Sequence, residues 1–300
     1  MPDQAFPIVG RFAPSPSGPL HFGSLLAAVA SFLHAKSSGG QWLLRIEDID
    51  QPRTQPGAAD TIMRDLAACG LYWDGPVWYQ SERLERYQQV FEQLRQAGLV
   101  YGCDCSRKQV AAMGGHYNGH CRQRQLLPGN KAPLAYRLKS SGVQTEFHDL
   151  LLGQQQIPAP FCQEDYIIKR RDGLFAYQLV VVIDDIDQQV SEVIRGADLL
   201  EMTSRQQRLF QLLDAKVPAF GHIPLIAAKP GFKLSKQNHA PAIHLQDPAK
   251  LLQQALMVLG QHCPDELNGA PVDDILSWAI AHWSAAAVPK VSEIVLNPFN

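Results

Sequence analysis

Three groups of residues in this sequence have types and spacings suited to chemistry. In SPSGPLHFGSLLAA, Gly18 and Gly23 flank His21 just ahead of an apolar helical pattern. Glycine lets a phosphate approach the backbone, a helix N-terminus favours anions, and His21 can donate a hydrogen bond to a phosphate oxygen. Far downstream, KLSKQN sets Lys233 and Lys236 around Ser235 in a loop flanked by Gly and Pro. Mobile ammonium groups there could follow the negative charge that grows on a departing pyrophosphate, and so lower the barrier. The third group, Cys103, Cys105 and Cys121, lies in a Gly-rich, His-containing stretch with few apolar residues. Three thiolates at that spacing suit a tetrahedral zinc, with His116 or His120 as the fourth ligand on ligand chemistry alone. Each group taken singly also has a plainer reading, as a turn, a polar loop, or free buried thiols.

These residues need elements to position them. PIVGRFAPS reads as a short buried strand entering a loop, and FGSLLAAVASFLHAK as a helix. QWLLRIEDID reads as a second strand, GAADTIMRDLAACG as a helix ending at a Gly stop, and SERLERYQQVFEQLRQAG as a Ser-capped amphipathic helix. This alternation predicts a parallel sheet with helical crossovers, an α/β fold of Rossmann type. The rhythm breaks over residues 101–171, where cysteines, glycines and short strand-like pieces (LAYRLK, DYIIKRR) suggest an inserted α+β subdomain. LFAYQLVVVIDDID then reads as a long apolar strand for the middle of the sheet, followed by a helix over about residues 198–215. DPAKLLQQALMVLG and PVDDILSWAIAHWSAAA read as amphipathic helices. The expected division is a split catalytic domain over residues 1–100 and 172–240, the insertion, and a helical tail over 241–300.

The bulk properties bound the reading. A chain of 300 residues, 46% hydrophobic, has enough apolar material for one large core or two adjoining ones. No charged leader with an apolar run opens it and no apolar stretch is long enough to span a bilayer, so a cytoplasmic protein with no membrane partner is expected. Six irregularly spaced cysteines suit reduced thiols or metal ligands; Cys69, Cys162 and Cys263 read as small core residues. With a net charge of −2, any nucleic-acid surface must be a local patch, such as Arg107 with Lys108, Arg122 with Arg124, or Lys169 to Arg171. Trp73, Trp78 and Tyr79 could stack on a base or fill a core edge.

HFGS and KLSKQ together resemble the HIGH and KMSKS signatures of class I aminoacyl-tRNA synthetases. RFAPSPSGPLHFGS, LLRIEDID, VVVIDDID and VIRGADLL, in that order, are similar to blocks of the glutamyl-tRNA synthetase family across nearly the whole chain. Ser15 and Ser17 stand where glutaminyl enzymes typically carry an acidic residue and Asn, which favours glutamate. The resemblance implies ATP and L-glutamate as substrates, with magnesium. It places Arg11, Ala13, Ser15, Glu47, Tyr177 and Arg195 at the amino acid, and His21, Gly23, Ser235 and Lys236 at ATP. His21, Gly23, Lys233 and Lys236 would be the catalytic set. The chemistry agrees, because two carboxylates and an ammonium call for two cationic forks and an acid, and Arg11, Arg195 and Glu47 provide them. For the metal, the resemblance names Tyr117 as the fourth ligand beside Cys103, Cys105 and Cys121, with His120 the alternative from ligand chemistry.

Full members of the family continue past KLSKQ into helical domains that read the anticodon, whereas here only a short tail follows. The chain therefore resembles a shortened paralogue that the family pattern associates with esterifying glutamate onto queuosine in the anticodon of tRNA(Asp). A monomer is expected. Two alternatives stay open: a glutamyl-tRNA synthetase body that charges the 3′ end with help from a separate anticodon-binding protein, and a non-catalytic amino-acid, nucleotide or tRNA sensor.

Overall fold

A computed structural model describes residues 7–124, 126, 133–229, 232–233, 243 and 246–296, without the side chains of Ala228, Phe232 and Lys233. The first strand, β1 (Val9–Phe12), leads through the Pro-Ser-Gly loop into α1 (Phe22–Lys36), and β2 (Gln41–Ile46) returns parallel to β1. At the return, a Cβ on Gly40 would lie 2.2 Å from the Ile8 carbonyl oxygen, so only glycine lets the chain pass. α2 (Ala58–Ala68) ends at Gly70, whose φ of 71° supplies the left-handed stop. β3 (Trp78–Tyr79) extends the parallel sheet beside β2.

The helix predicted after Ser81 is α3 (Leu84–Gln96), preceded by a 3-10 turn over Gln80–Arg83. Ser81 does not cap it, because its amide and hydroxyl both donate to the Asp48 carboxylate, at 2.8 and 2.6 Å. The segment read as an insertion begins near β4 (Val100–Cys103) and the short α4 (Arg107–Ala112). β5 (Ala135–Leu138) pairs antiparallel with β4 and later with β8 (Tyr166–Lys169), while β6 (Glu146–Asp149) and β7 (Gly153–Gln156) form a hairpin before α5 (Ala159–Gln163).

The segment expected as a central strand is instead a helix, α6 (Tyr177–Asp187). A run of buried apolar residues has no period that tells strand from helix, and every residue from Leu179 to Asp185 is buried. The acids decide the outcome. Helical spacing puts Asp184 and Asp187 on one face, where the Arg83 fork binds them at 2.7 and 2.5 Å. Asp185, turned about 100° away, meets Arg11 and Arg45.

β9 (Glu192–Gly196) lies on the other side of β1, joined to it by the Ser191 amide donating to the Val9 carbonyl. After α7 (Met202–Leu212), β10 (Ala219–Ile223) pairs parallel to β9, which gives the order β3-β2-β1-β9-β10. β11 (Leu225–Lys229) pairs with β12 (Phe232–Lys233), and α8 (Pro248–Val258) and α9 (Val272–His282) pack against α1. The tail is not purely helical, because β13 (Glu293–Val295) returns to pair with β11.

One core surrounds α1, β2, α8 and α9, and a second lies among α3, α6, α7 and β8. α1 is buried on several sides, which its many alanines permit. Between the two cores lies a layer of buried charge. Asp184, fully buried, accepts from Tyr87 at 2.9 Å, Gln80 at 2.9 Å and Arg83 at 2.7 Å, with Arg45 3.6 Å away. Replacing Asp184 with alanine would leave the buried Arg45 short of a partner. Denaturant unfolding should then show a loss of about 3–5 kcal/mol, and a loss below about 1 kcal/mol, the range of an exposed pair, would show that this layer does not bear on stability.

Candidate functional site

At the carboxyl ends of β1 and β9, where the sheet order reverses, a cavity of ≈ 500 Å³ opens. Open parallel sheets take their ligands at this switch point. Arg11, Ala13, Ser15, His21, Gly23, Glu47, Tyr177 and Arg195 all line it, although they come from β1, its following loop, α1, the end of β2, α6 and β9. Lys233 stands on β12 with its side chain outside the described set, and Ser235 and Lys236 lie outside the described residues.

Arg11 is buried and clamped by Asp185, with Nε and Nη2 at 3.2 and 3.3 Å from its two oxygens. Arg45 reaches the same carboxylate at 2.8 Å, as a close ion pair off the hydrogen-bond direction, and Glu47 at 3.5 Å. Burial alone would raise the Asp185 carboxyl, but Arg11 and Arg45 outweigh it and hold the group ionised. Glu47 goes the other way. Desolvation pushes its carboxyl up to about 7 against the pull of Arg45 and Arg11, and its Oε1 is buried without a hydrogen bond. Oε1 lies 3.5 Å from Arg45, and the carboxylate borders the cavity, where it is placed to take a ligand cation.

Arg195 is also buried, and burial holds it below the usual arginine range. It donates to His222 Nε2 at 3.0 Å, Gln206 at 2.7 Å, Thr203 at 2.8 Å and the Leu199 carbonyl at 3.1 Å. His21 caps α1, its Nδ1 accepting from the Ser24 amide at 3.2 Å. In a neutral imidazole that leaves the proton on Nε2, which faces the Ser24 hydroxyl at 3.1 Å. The helix start and this donor together suit an anion.

Sequence reading missed several contributors. Arg53 and Asp198 also line the cavity, and Asp185, Arg45 and His222 hold its arginines. The DDID run was a visible signal, but it points at Arg11 only once the segment is helical. A side cavity of ≈ 180 Å³ shares Ser15, Glu47, Arg53 and Tyr177 with the main one and adds Gln80, Thr54 and Arg170.

The insertion gathers a second site. The sulfurs of Cys103, Cys105 and Cys121 all lie within 4.8 Å of one another, with Cys105 and Cys121 at 3.5 Å. Tyr117 is buried with them, its hydroxyl oxygen accepting from the Cys121 amide at 2.7 Å. His116 and His120 are exposed and stand outside the thiol group. Burial and the neighbouring sulfurs push the Cys105 thiol up to about 12, a crowding that a bound cation relieves. Three thiols gathered beside a buried phenol fit a tetrahedral metal ion.

The basic patches are largely paired: Arg122 binds Asp165 at 2.7 Å, Arg124 binds Asp104 at 2.7 Å, and Arg170 bridges Asp50 at 3.2 Å and Asp172 at 2.6 Å. Cys69 and Cys162 are buried, Trp73 packs at the core edge, and Trp78 carries the Arg83 guanidinium over its ring at 4.3 Å. Among the described residues no helix is long and apolar enough to cross a membrane.

Comparison with known proteins agrees with this geometry. Residues 7–259 match the family model for class I tRNA synthetases (E and Q), catalytic domain. A glutamyl-Q tRNA(Asp) synthetase of Vibrio vulnificus is 52% identical, over 95% of this chain and 93% of its own length. One from Shewanella amazonensis is 50% identical over 97% and 98%, and one from Escherichia coli 49% over 97% and 94%. Among solved structures, a glutamate tRNA ligase of Elizabethkingia meningosepticum, in complex with its amino acid, superposes with a TM-score of 0.78 at 25% identity. The superposition covers 95% of this chain and 66% of that one, so the chain spans about two thirds of that ligase. With a family model over most of its length and relatives at half identity throughout, the chain belongs to the class I (E and Q) tRNA synthetase family, among the members named glutamyl-Q tRNA(Asp) synthetase.

Proposed function

We propose that this protein activates L-glutamate with ATP to glutamyl-adenylate and transfers the glutamate to the queuosine base in the anticodon of tRNA(Asp). The observation that carries the reading is the single cavity in which Arg11, Arg195 and Glu47 converge beside the His21 cap of α1. Two cations and one acid complement two carboxylates and an ammonium, and the helix start lies next to them for a phosphate. The names of the relatives supply the acceptor.

Arg11 and Arg195 hold the two carboxylates, Glu47 takes the ammonium, and Tyr177 closes the pocket with its hydroxyl. Ala13 and Ser15 border the amino acid. Glutamate's α-carboxylate oxygen then attacks the α-phosphorus of ATP, and the bond to the bridging oxygen breaks to release pyrophosphate. His21 at the start of α1, with Gly23 allowing close approach, stabilises the phosphates, joined by Lys233, Ser235 and Lys236 of the downstream loop. Among the described residues no carboxylate cluster awaits magnesium, which would arrive on the nucleotide's own phosphates. In the second step a hydroxyl of the modified nucleoside attacks the activated carbonyl and AMP leaves. The side cavity, which Gln80, Thr54 and Arg170 line together with Ile49, Leu174 and Phe175, adjoins the pocket at Glu47 and Tyr177 and offers a place for part of that acceptor.

Labelled glutamate, ATP and total tRNA with or without queuosine test the reading. The label should map by nuclease digestion to the anticodon loop, and only when queuosine is present. Label at the 3′ end would replace it with ordinary tRNA charging.

Glu47 sets a pH dependence. Its carboxyl titrates near 7 and only the ionised form pairs with an ammonium, so glutamate affinity is full above that pH and declines as pH falls through it. In ATP–pyrophosphate exchange, the KM for glutamate should rise by up to about tenfold per pH unit below 7, and Glu47→Gln should abolish that slope. A flat wild-type profile would remove the ammonium role from Glu47.

Cys103, Cys105, Tyr117 and Cys121 would hold one zinc ion, which supplies a structural clamp with no open position for catalysis. Purified protein should carry about one zinc per chain. Cys121→Ser should lose the metal and unfold at a lower temperature, and a metal-free wild type of undiminished Tm would refute the clamp.

A further inference from the structure

The cavity's two buried arginines are held in opposite ways. Arg11 faces the Asp185 carboxylate directly, whereas each hydrogen bond that Arg195 donates among the described residues ends on a neutral acceptor, provided that His222 is neutral. That condition follows from chemistry. A guanidinium only donates, so the His222 Nε2 that lies 3.0 Å from Arg195 Nε must present a lone pair, and the ring proton must sit on Nδ1. Nδ1 meets Asp149 Oδ2 at 2.5 Å. Asp149 is fixed in turn, its Oδ1 accepting from the amides of Leu151 at 3.0 Å, Leu152 at 2.9 Å and His222 at 3.1 Å. Both Asp149 and His222 are fully buried, so water cannot substitute for either partner. The opposite tautomer would point an N–H at an N–H in a dry site.

We propose that His222 is the positioning residue of the carboxylate site: its Nδ1–H tautomer, imposed by Asp149, holds the Arg195 guanidinium for one carboxylate of the amino-acid substrate. The proposal rests on the glutamate-activating reading and adds to it a dependence on the β6–β7 hairpin, since Asp149 ends β6 inside the insertion. A neutral imidazole spaces the guanidinium without neutralising it. No carboxylate takes up the hydrogen bonds of Arg195, although Asp185 and Asp198 act on it through space, so it keeps an attraction for an anion from which a neutral amide in place of the substrate carboxylate gains less.

Asp149→Asn tests this in glutamate-dependent ATP–pyrophosphate exchange, because an amide N–H at position 149 favours the opposite tautomer while keeping the volume. The KM for glutamate should rise about ten- to a hundredfold, with the KM for ATP unchanged and Tm within a few degrees. His222→Gln can accept from Arg195 and donate to Asp149 through one amide, so it should bind glutamate more tightly than His222→Ala does. Nitrogen NMR of ¹⁵N-histidine-labelled wild-type protein, with the signal assigned by its loss in His222→Gln, should show the Nδ1–H tautomer. An Nε2–H or doubly protonated ring overturns the proposal, as does an equal rise in both KM values. An active wild type whose Asp149→Asn variant keeps its glutamate KM sinks this proposal alone, whereas a wild type without any glutamate-dependent exchange sinks the function beneath it.

Discussion

Removing charge from water is the constraint on which this molecule turns. Arg11, Arg45 and Arg195, with Asp184 and Asp185, are buried between two apolar cores. An ion buried alone costs several kcal/mol, and only close partners in good geometry offset that cost. The arrangement of β1, β2 and α6 follows from it. Asp185 must stand where it can reach Arg11 on β1 and Arg45 on β2 together, and Asp184 must close the other side against Tyr87, Gln80 and Arg83. A helix keeps Asp184 and Asp187 together on Arg83 while it turns Asp185 to other partners, whereas a strand would put Asp184 and Asp187 on opposite faces.

The same constraint divides the cavity into two kinds of cation. Arg11 is already paired, so its charge is spread over the Asp185 carboxylate and the approaching ligand. Arg195 donates its hydrogen bonds to neutral dipoles, so it keeps an attraction for an anion and depends on those dipoles for its position. Between them Glu47 stays near its titration point, since desolvation and the nearby arginines pull in opposite directions. A pocket with one paired cation, one dipole-held cation and one poised acid matches the charge pattern of an acidic amino acid more closely than a uniformly basic cleft would.

The insertion solves a different problem. Its cysteine-bearing stretch has little apolar material, and the thiols with Tyr117 form a cluster too small to be a core. Surrounding contacts are polar and local: Asp165 alone binds Arg122, Tyr101 and Ser140. Arg137 stacks over the Tyr117 ring at 3.8 Å and donates to Cys103 sulfur at 3.4 Å, which ties the thiol cluster to β5. The hairpin that follows reaches the other way and delivers Asp149 to the main cavity. The stretch from β4 to β8 thus carries both the thiol cluster and a support for the central site.

By itself the sequence determined the parallel α/β framework, the start of α1 at Phe22, the glycine stops, and the residue types that line the cavity, because these are written in local periodicity and in contiguous blocks. It also brought the cysteines together, since their separation along the chain is short. Only the tertiary structure decided that VVVIDDID is helical, because an apolar segment buried on all sides has no outward face to mark its period. Tertiary structure likewise displaced Ser81 from its expected cap to the Asp48 carboxylate. It buried Tyr117 against the thiols and left His116 and His120 exposed. The support of Arg195 was illegible for the same reason. Asp149 and His222 are distant from Arg195 in sequence, and neither is marked out by its neighbours. Their roles exist only once a hairpin from the insertion and two adjacent parallel strands exclude water from the space between them.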